Sequence, residues 1–214
     1  MYYSKIETPF ERDMDGSRRL IPGKYRNPAV RAVRDLPWEW TLKVDGTSVL
    51  IAWDGHEVSI HGHTERSCLQ AALVERLKSL FLGETAAQLF EQKFGATPAF
   101  LYGEGVGPKI QACGFHYGDA PDFILFDALA GHTWLPRAEV DALARMFGVR
   151  SVPVLLVGTV DEAVAFVKRG FKDPMADGVL DAEGLVGRAP EGLLDRYGHR
   201  LIVKVKARDF KEEA

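Results

Sequence analysis

The dipeptide Asp54-Gly55 stands between two short alternating runs, Val49 to Trp53 and Val58 to His61. Asp-Gly is a strong hairpin signal, because both residues tolerate the left-handed backbone that a tight turn demands. A connection this short joins only antiparallel neighbours, so any fold for this chain contains an antiparallel sheet. Further strands are predicted at Trp38 to Val44, Ala99 to Glu104, Phe123 to Leu129, Val152 to Val157, Gly184 to Arg188 and Leu201 to Val205. Helical spacing of apolar residues runs from Leu69 to Leu82 and is closed by Gly83. Two more helices are predicted at Glu84 to Phe94, ended by Gly95, and at Arg137 to Phe147, ended by Gly148. Thr159-Val160-Asp161-Glu162 is a capping box that opens a helix through about Arg169. The first forty residues, punctuated by Pro9, Gly16, Pro22, Gly23, Pro28 and Pro37, are expected to be irregular. Strands and helices mix without a strict βαβ repeat, which points to an α+β fold of antiparallel sheets flanked by helices.

No linker, repeat or low-complexity tract divides the sequence, so residues 1–214 are expected to form a single domain. No apolar run approaches the ~18 residues of a membrane span, and the charged first twenty residues hold no secretory segment. Cys68 and Cys113 lie far apart with no Cys-x-x-Cys, which excludes a disulfide framework and makes a reducing cytoplasm the expected compartment. The formal net charge of −3 hides an asymmetry. Arg12, Arg18, Arg19, Lys24, Arg26, Arg31 and Arg34 face only Asp13 and Asp15 in their stretch, and Arg200, Lys204, Lys206, Arg208 and Lys211 face only Asp209. Local clusters, not the average, set the field that a polyanion meets, although two solvated faces would give the same pattern.

Several short motifs carry chemistry. Lys43-Val44-Asp45-Gly46 closes the first strong strand. A lysine amine is a nucleophile when a buried or cation-flanked setting lowers its pKa, and a glycine three residues on lets the chain pass close to a ligand. The same four residues also suit a plain surface turn. Lys204 and Lys206 alternate and so share one strand face; an anion between them would offset their repulsion, but a solvated edge strand has the same appearance. Glu104, in the run from Tyr102 to Gly107, and Glu183, in Ala182-Glu183-Gly184, lie at strand ends, where carboxylates suit a hard cation, a ribose hydroxyl or simple exposure. Phe123 and Phe126 fall on opposite faces of one strand by parity, so one is core and the other is placed to stack on a base. Of His56, His61 and His63 near the hairpin, His61 and His63 share a strand face as a zinc pair would, but no third ligand is evident, and partly exposed hairpin histidines have the same appearance.

In order, Lys-Val-Asp-Gly, Gly-Glu-Gly-Val-Gly, Phe-Ile-Leu-Phe-Asp, Glu-Gly-Leu-Val-Gly-Arg and Lys-Val-Lys resemble motifs I, III, IIIa, IV and V of the covalent nucleotidyltransferases, which include ATP-dependent ligases and capping enzymes. The stretches from Lys43 to Ser48 and from Gly103 to Gln111 are similar to the RNA ligase 2 type. The resemblance implies an ATP-grasp-like adenylation fold and sealing of 5′-phosphate and 3′-hydroxyl ends, on RNA or a nicked duplex. Lys43 would take AMP from ATP, Phe126 would stack on adenine and Glu104 would hold the ribose. Glu183, with Glu104, would bind Mg2+ or Mn2+. Lys204 and Lys206 would contact the α-phosphate, Ser48 stands where the family has Asn, and Arg188 would meet a phosphate. His63 occupies a position that is usually Arg, with Arg66 as a substitute for it. The resemblance further implies a monomer whose nucleotidyltransferase domain lacks the usual OB or C-terminal helical domain, a role a partner protein could fill. A minimal ATP-dependent DNA ligase and a degenerate nucleic-acid-binding adenylation domain are the alternatives.

Overall fold

A computed structural model describes residues 3–16, 19–62, 64 and 68–210. In chain order the strands and helices begin with β1 (Phe10–Arg12), β2 (Leu20–Tyr25), α1 (Pro28–Ala32), β3 (Trp38–Leu42), β4 (Thr47–Trp53) and β5 (Val58–Gly62). They continue with α2 (Ala71–Phe81), α3 (Glu84–Phe94), β6 (Ala99–Val106), β7 (Asp122–Ala130), β8 (Thr133–Trp134) and α4 (Arg137–Met146). The last are β9 (Arg150–Ser151), β10 (Val154–Gly158), α5 (Val160–Arg169), β11 (Gly184–Arg188) and β12 (Ile202–Lys206). The mixture of antiparallel sheets and helices is the expected α+β class. The first forty residues depart from expectation: β1 and β2 pair as an antiparallel ribbon and α1 follows, capped by the Asn27 side chain. Pro22 and Gly23 lie inside β2, which a two-stranded ribbon tolerates because one edge needs no ladder bonds.

The chain folds into two compact units. The first takes Asp45–Val152, Met175–Asp177 and the chain start to Ser4. Its sheet runs β5-β4-β6-β7-β8, antiparallel throughout, with β9 parallel to β7. The hairpin foreseen at Asp54 is present: the Asp54 carboxylate accepts from the N–H groups of His56 and Glu57, and Gly55 takes φ 108°. Leu73, Leu77 and Phe81 recur every fourth residue on α2 and pack with Phe90 and with Val140 and Leu143 of α4 against Val49, Ile51, Leu101 and Phe123. All three helices therefore cover one face of the sheet.

The register of β7 on β6 shifts at one point: Tyr102 faces Asp127 and Gly103 faces Leu125, so Phe126 is the extra residue of a β-bulge. The bulge resets parity. Phe123, Leu125 and Ala128 all reach the helix-covered core, which a regular strand could not achieve. Phe126 goes to the opposite face, as parity with Phe123 required, and packs there with Tyr3, Tyr102 and Trp134.

The second unit takes Lys5–Val44, Pro153–Pro174 and the chain from Gly178 on. Its sheet has the order β10-β3-β11-β12, all antiparallel. The capping box is formed as expected: Thr159 Oγ1 accepts from Glu162 N at 3.1 Å, and the Glu162 carboxylate accepts from Thr159 N at 2.7 Å. Val160, Ala163, Val164 and Val167 make one stripe along α5, which packs with Trp38, Trp40, Leu185, Val203 and Val205. Gly187 is required under Trp40, whose ring carbon lies 2.4 Å from where a Cβ would be. Alternation then sends Glu39, Thr41, Val186, Arg188, Lys204 and Lys206 to the face away from α5.

Candidate functional site

In the second unit the predicted lysines and one carboxylate meet at one end of the β3-β11-β12 ladder. Lys43 follows β3 and extends its pairing, its N–H donating to Gly184 O at 2.9 Å. Gly184 opens β11 opposite Lys206. It has φ 151°, and a Cβ there would lie 2.0 Å from Val205 O, so only glycine brings these strands so close. Glu183, one residue earlier, is thereby set between two ammonium groups. Lys43 Nζ donates to its Oε2 at 2.6 Å, and Lys206 Nζ pairs with its Oε1. All three side chains are largely shielded from solvent. Burial pushes the Glu183 carboxyl upward, but the charges and hydrogen bonds of Lys43 and Lys206 outweigh it and hold the group below the usual carboxylate range.

Lys204 lies two residues before Lys206 on the same face and pairs in register with Val186. No hydrogen bond or ion pair joins its amine to another described side chain. Burial lowers its pKa first, and the like charges of Lys206 and Lys43 lower it further. An incoming anion would favour the charged amine and oppose both effects. Arg188 is on the same face, its guanidinium donating to Thr41 Oγ1 at 3.5 Å. The second unit thus gathers Lys43, Glu183, Lys204 and Lys206, with Arg188 farther along β11.

In the first unit Ser48 of β4 and Glu104 of β6 are direct cross-strand partners, on the sheet face that also bears Phe126. Gly46 explains its own place in the Lys-Val-Asp-Gly motif: a Cβ there would meet Gly105 O at 2.3 Å and Glu104 Cγ at 2.8 Å. The close approach it permits is to strand β6 of the protein itself. Composition and spacing did not single out the groups that hold the neighbouring backbone. Tyr117 Oη accepts from Asp45 N at 3.3 Å, Gln111 Nε2 donates to Gly46 O at 3.1 Å, and the Cys113 thiol donates to Asp45 Oδ2 at 3.3 Å. These are contacts across 65 residues or more of sequence, which no local pattern announces. His63 and Arg66 lie outside the described residues. His61 Nε2 lies 2.8 Å from Ser59 Oγ on the same strand. Among the described residues no three metal-ligating side chains gather, so a hard cation here would be held by one or two carboxylates together with phosphate oxygens of a ligand, as magnesium commonly is. No helix of the described residues is long and apolar enough to cross a membrane.

Comparison with known proteins agrees with this architecture. The profile of the RNA ligase family matches residues 36–206. A search of curated proteins returned no match. Among solved structures, a Naegleria gruberi RNA ligase mutant in the apo form superposes with a TM-score of 0.64 at 18% identity, over 97% of this chain and 60% of that one. A mutant of the same ligase with ATP and Mn gives 0.64 and 18%, over 98% and 62%. The form with PPi gives 0.63 and 19%, over 97% and 62%. The likeness establishes the fold, and the chain spans about three fifths of the length of these ligases.

Proposed function

This chain belongs to the RNA ligase family, and on that premise we propose that it joins RNA 5′-phosphate and 3′-hydroxyl ends with ATP through a lysyl-AMP intermediate on Lys43. The carrying observation is the Lys43–Glu183–Lys206 cluster, which fixes a candidate nucleophile beside a carboxylate and a second cation. In the first step Lys43 Nζ forms a bond to the α-phosphorus of ATP and the bond from that phosphorus to pyrophosphate breaks. Lys206 and Lys204 neutralise charge on the phosphate oxygens, which is most of what phosphoryl transfer asks of a protein. AMP then passes to an RNA 5′-phosphate, and a 3′-hydroxyl displaces it.

Phe126 stacks on the adenine in this reading, Glu104 and Ser48 contact the ribose and reacting phosphate, and Arg188, His63 and Arg66 serve the nucleotide or RNA phosphates. Glu183 and Glu104 are the carboxylates that would hold Mg2+ or Mn2+, which would supply neutralisation of phosphate charge. The reading takes both units, which the family match crosses, as one adenylation domain acting as a monomer. The reading places the chain in the cytoplasm, a reducing compartment in which cysteines such as Cys68 and Cys113 stay as thiols.

The test is incubation with ATP labelled at the α-phosphate and a divalent metal, followed by a denaturing gel. Label is expected on the wild-type chain and absent from Lys43→Ala; an unlabelled wild type, or undiminished label in the variant, overturns the reading. Matched nicks carrying RNA or DNA on the 3′-hydroxyl side then separate RNA sealing from DNA sealing, because only the 2′-hydroxyl differs.

A further inference from the structure

Between β11 and β12 the chain makes a long hairpin that none of the nucleotidyl-transfer roles uses. Its tip is built by Asp195. The Asp195 carboxylate accepts from Tyr197 N at 2.8 Å and from His199 N at 2.9 Å, bonds that hold the group below the usual carboxylate range. Asp195 N donates to His199 O at 2.8 Å, Gly198 N donates to Asp195 O at 3.0 Å, and Gly198 closes the turn at φ 81°. Leu194 bridges to Arg200 just behind. Such a turn projects its two central residues, here Arg196 and Tyr197.

Tyr197 is 66% exposed although the turn beneath it is held by several hydrogen bonds. Its neighbours are cationic or titratable: the Arg196 guanidinium carbon lies 4.6 Å from the ring centroid, and the His199 ring lies 6.2 Å away. A tyrosine with an arginine beside it offers a base a stacking surface and its phosphate a positive charge. The two strands that carry the hairpin also carry Arg188 and Lys204 on one sheet face. Gly184 and Lys206 pair at one end of these two strands and Arg188 and Ile202 at the other, so the hairpin leaves the sheet at the end away from the Lys43–Glu183–Lys206 cluster.

We propose that the 189–201 hairpin is a contact for single-stranded RNA, with Tyr197 stacking on an unpaired base away from the reacting end and Arg196 beside it on the phosphate backbone. The proposal rests on the RNA substrate inferred above. Stacking of this kind is indifferent to sequence, because every base has a π face, but it needs a base that is not already stacked in a duplex.

The experiment measures binding of fluorescein-labelled RNA to the full chain by polarisation, without ATP, using a 16-nucleotide single strand and a duplex of the same length. Tyr197→Ala is expected to weaken single-strand binding about ten-fold and duplex binding less than two-fold, while Tyr197→Phe keeps wild-type affinity. An unchanged single-strand affinity in Tyr197→Ala, an equal loss on duplex, or a wild-type chain that binds no RNA overturns the proposal, including in favour of a protein-binding tip. Equal melting temperatures show that the variant is folded. Because binding is read without nucleotide, a chain that takes no label from ATP but holds RNA through Tyr197 would sink the adenylylation reading and leave this one standing.

Discussion

At the scale of single residues, the charge balance of the second unit turns on Glu183. One carboxylate offsets two ammonium groups that would otherwise repel each other at close range. Its pKa is lowered in the folded chain, so its contribution to stability is complete above the unfolded value of about 4.3 and is lost as pH falls through the lower folded value. Glu183→Gln removes that charge and leaves Lys43 and Lys206 uncompensated. At pH 7 the variant should be less stable by roughly 1–3 kcal/mol, a drop of several degrees in melting temperature. The gap between variant and wild type should close on acidification below pH 4. Thermal melts between pH 3 and pH 7 check this, and a gap that stays constant over that range would show that the charge is not the source. The identity of Lys43, Glu183, Lys204 and Lys206 was legible in the sequence, since each sits in a short motif. Their meeting was not legible from local pattern, since Lys43 and Glu183 are 140 residues apart; only the family resemblance implied it. The hold of Tyr117, Gln111 and Cys113 on Asp45 and Gly46 was hidden for the same reason, because it depends on tertiary approach alone.

Elements were legible wherever local physics decides them. The helix predicted over Glu84 to Phe94 has those bounds, and the capping box before α5 forms with both reciprocal bonds. Thr159→Ala deletes the side-chain acceptor at that cap and should cost ~1 kcal/mol, a loss of about 2–4 °C in melting temperature for a chain of this size. Differential scanning calorimetry reads it, and an unchanged transition would mean that α5 is held by its Val160–Val167 stripe alone. Elements escaped notice where context overrides propensity. The β1-β2 ribbon keeps Pro22 and Gly23 because an edge strand can spare ladder bonds. The bulge at Phe126 leaves no mark on the sequence, since it is a matter of how β7 lies on β6, yet it is what turns that ring away from the helices while Ala128 still reaches the core.

Considered as a whole, the molecule is two cores threaded by one chain. The unit holding β4 to β9 draws almost entirely on Asp45–Val152, whereas the other collects β3 from early in the sequence and β10, β11 and β12 from late. A chain ended after Val152 would keep the first core and strip β3 of both sheet neighbours and of α5, exposing Trp38 and Trp40. That truncation should aggregate or bind a hydrophobic dye strongly, measured by fluorescence against the full chain; a monomeric, dye-silent product would show that β3 does not need its late partners.

The same threading has a consequence for biosynthesis. Trp40 is finished only when Gly187 arrives beneath its ring, about 150 residues later, which at ~5–20 residues per second is roughly 7–30 s of translation. Through that interval the Asp45–Val152 core can already close while the strand leading to Lys43 has no sheet to join. Glu183 and Lys206, the partners of Lys43, are made among the last strands. A nascent chain therefore carries Lys43 long before Glu183 and Lys206 exist to pair around it, and chaperone dependence should concentrate on the aromatic strand Trp38–Leu42 rather than on the larger core that follows it.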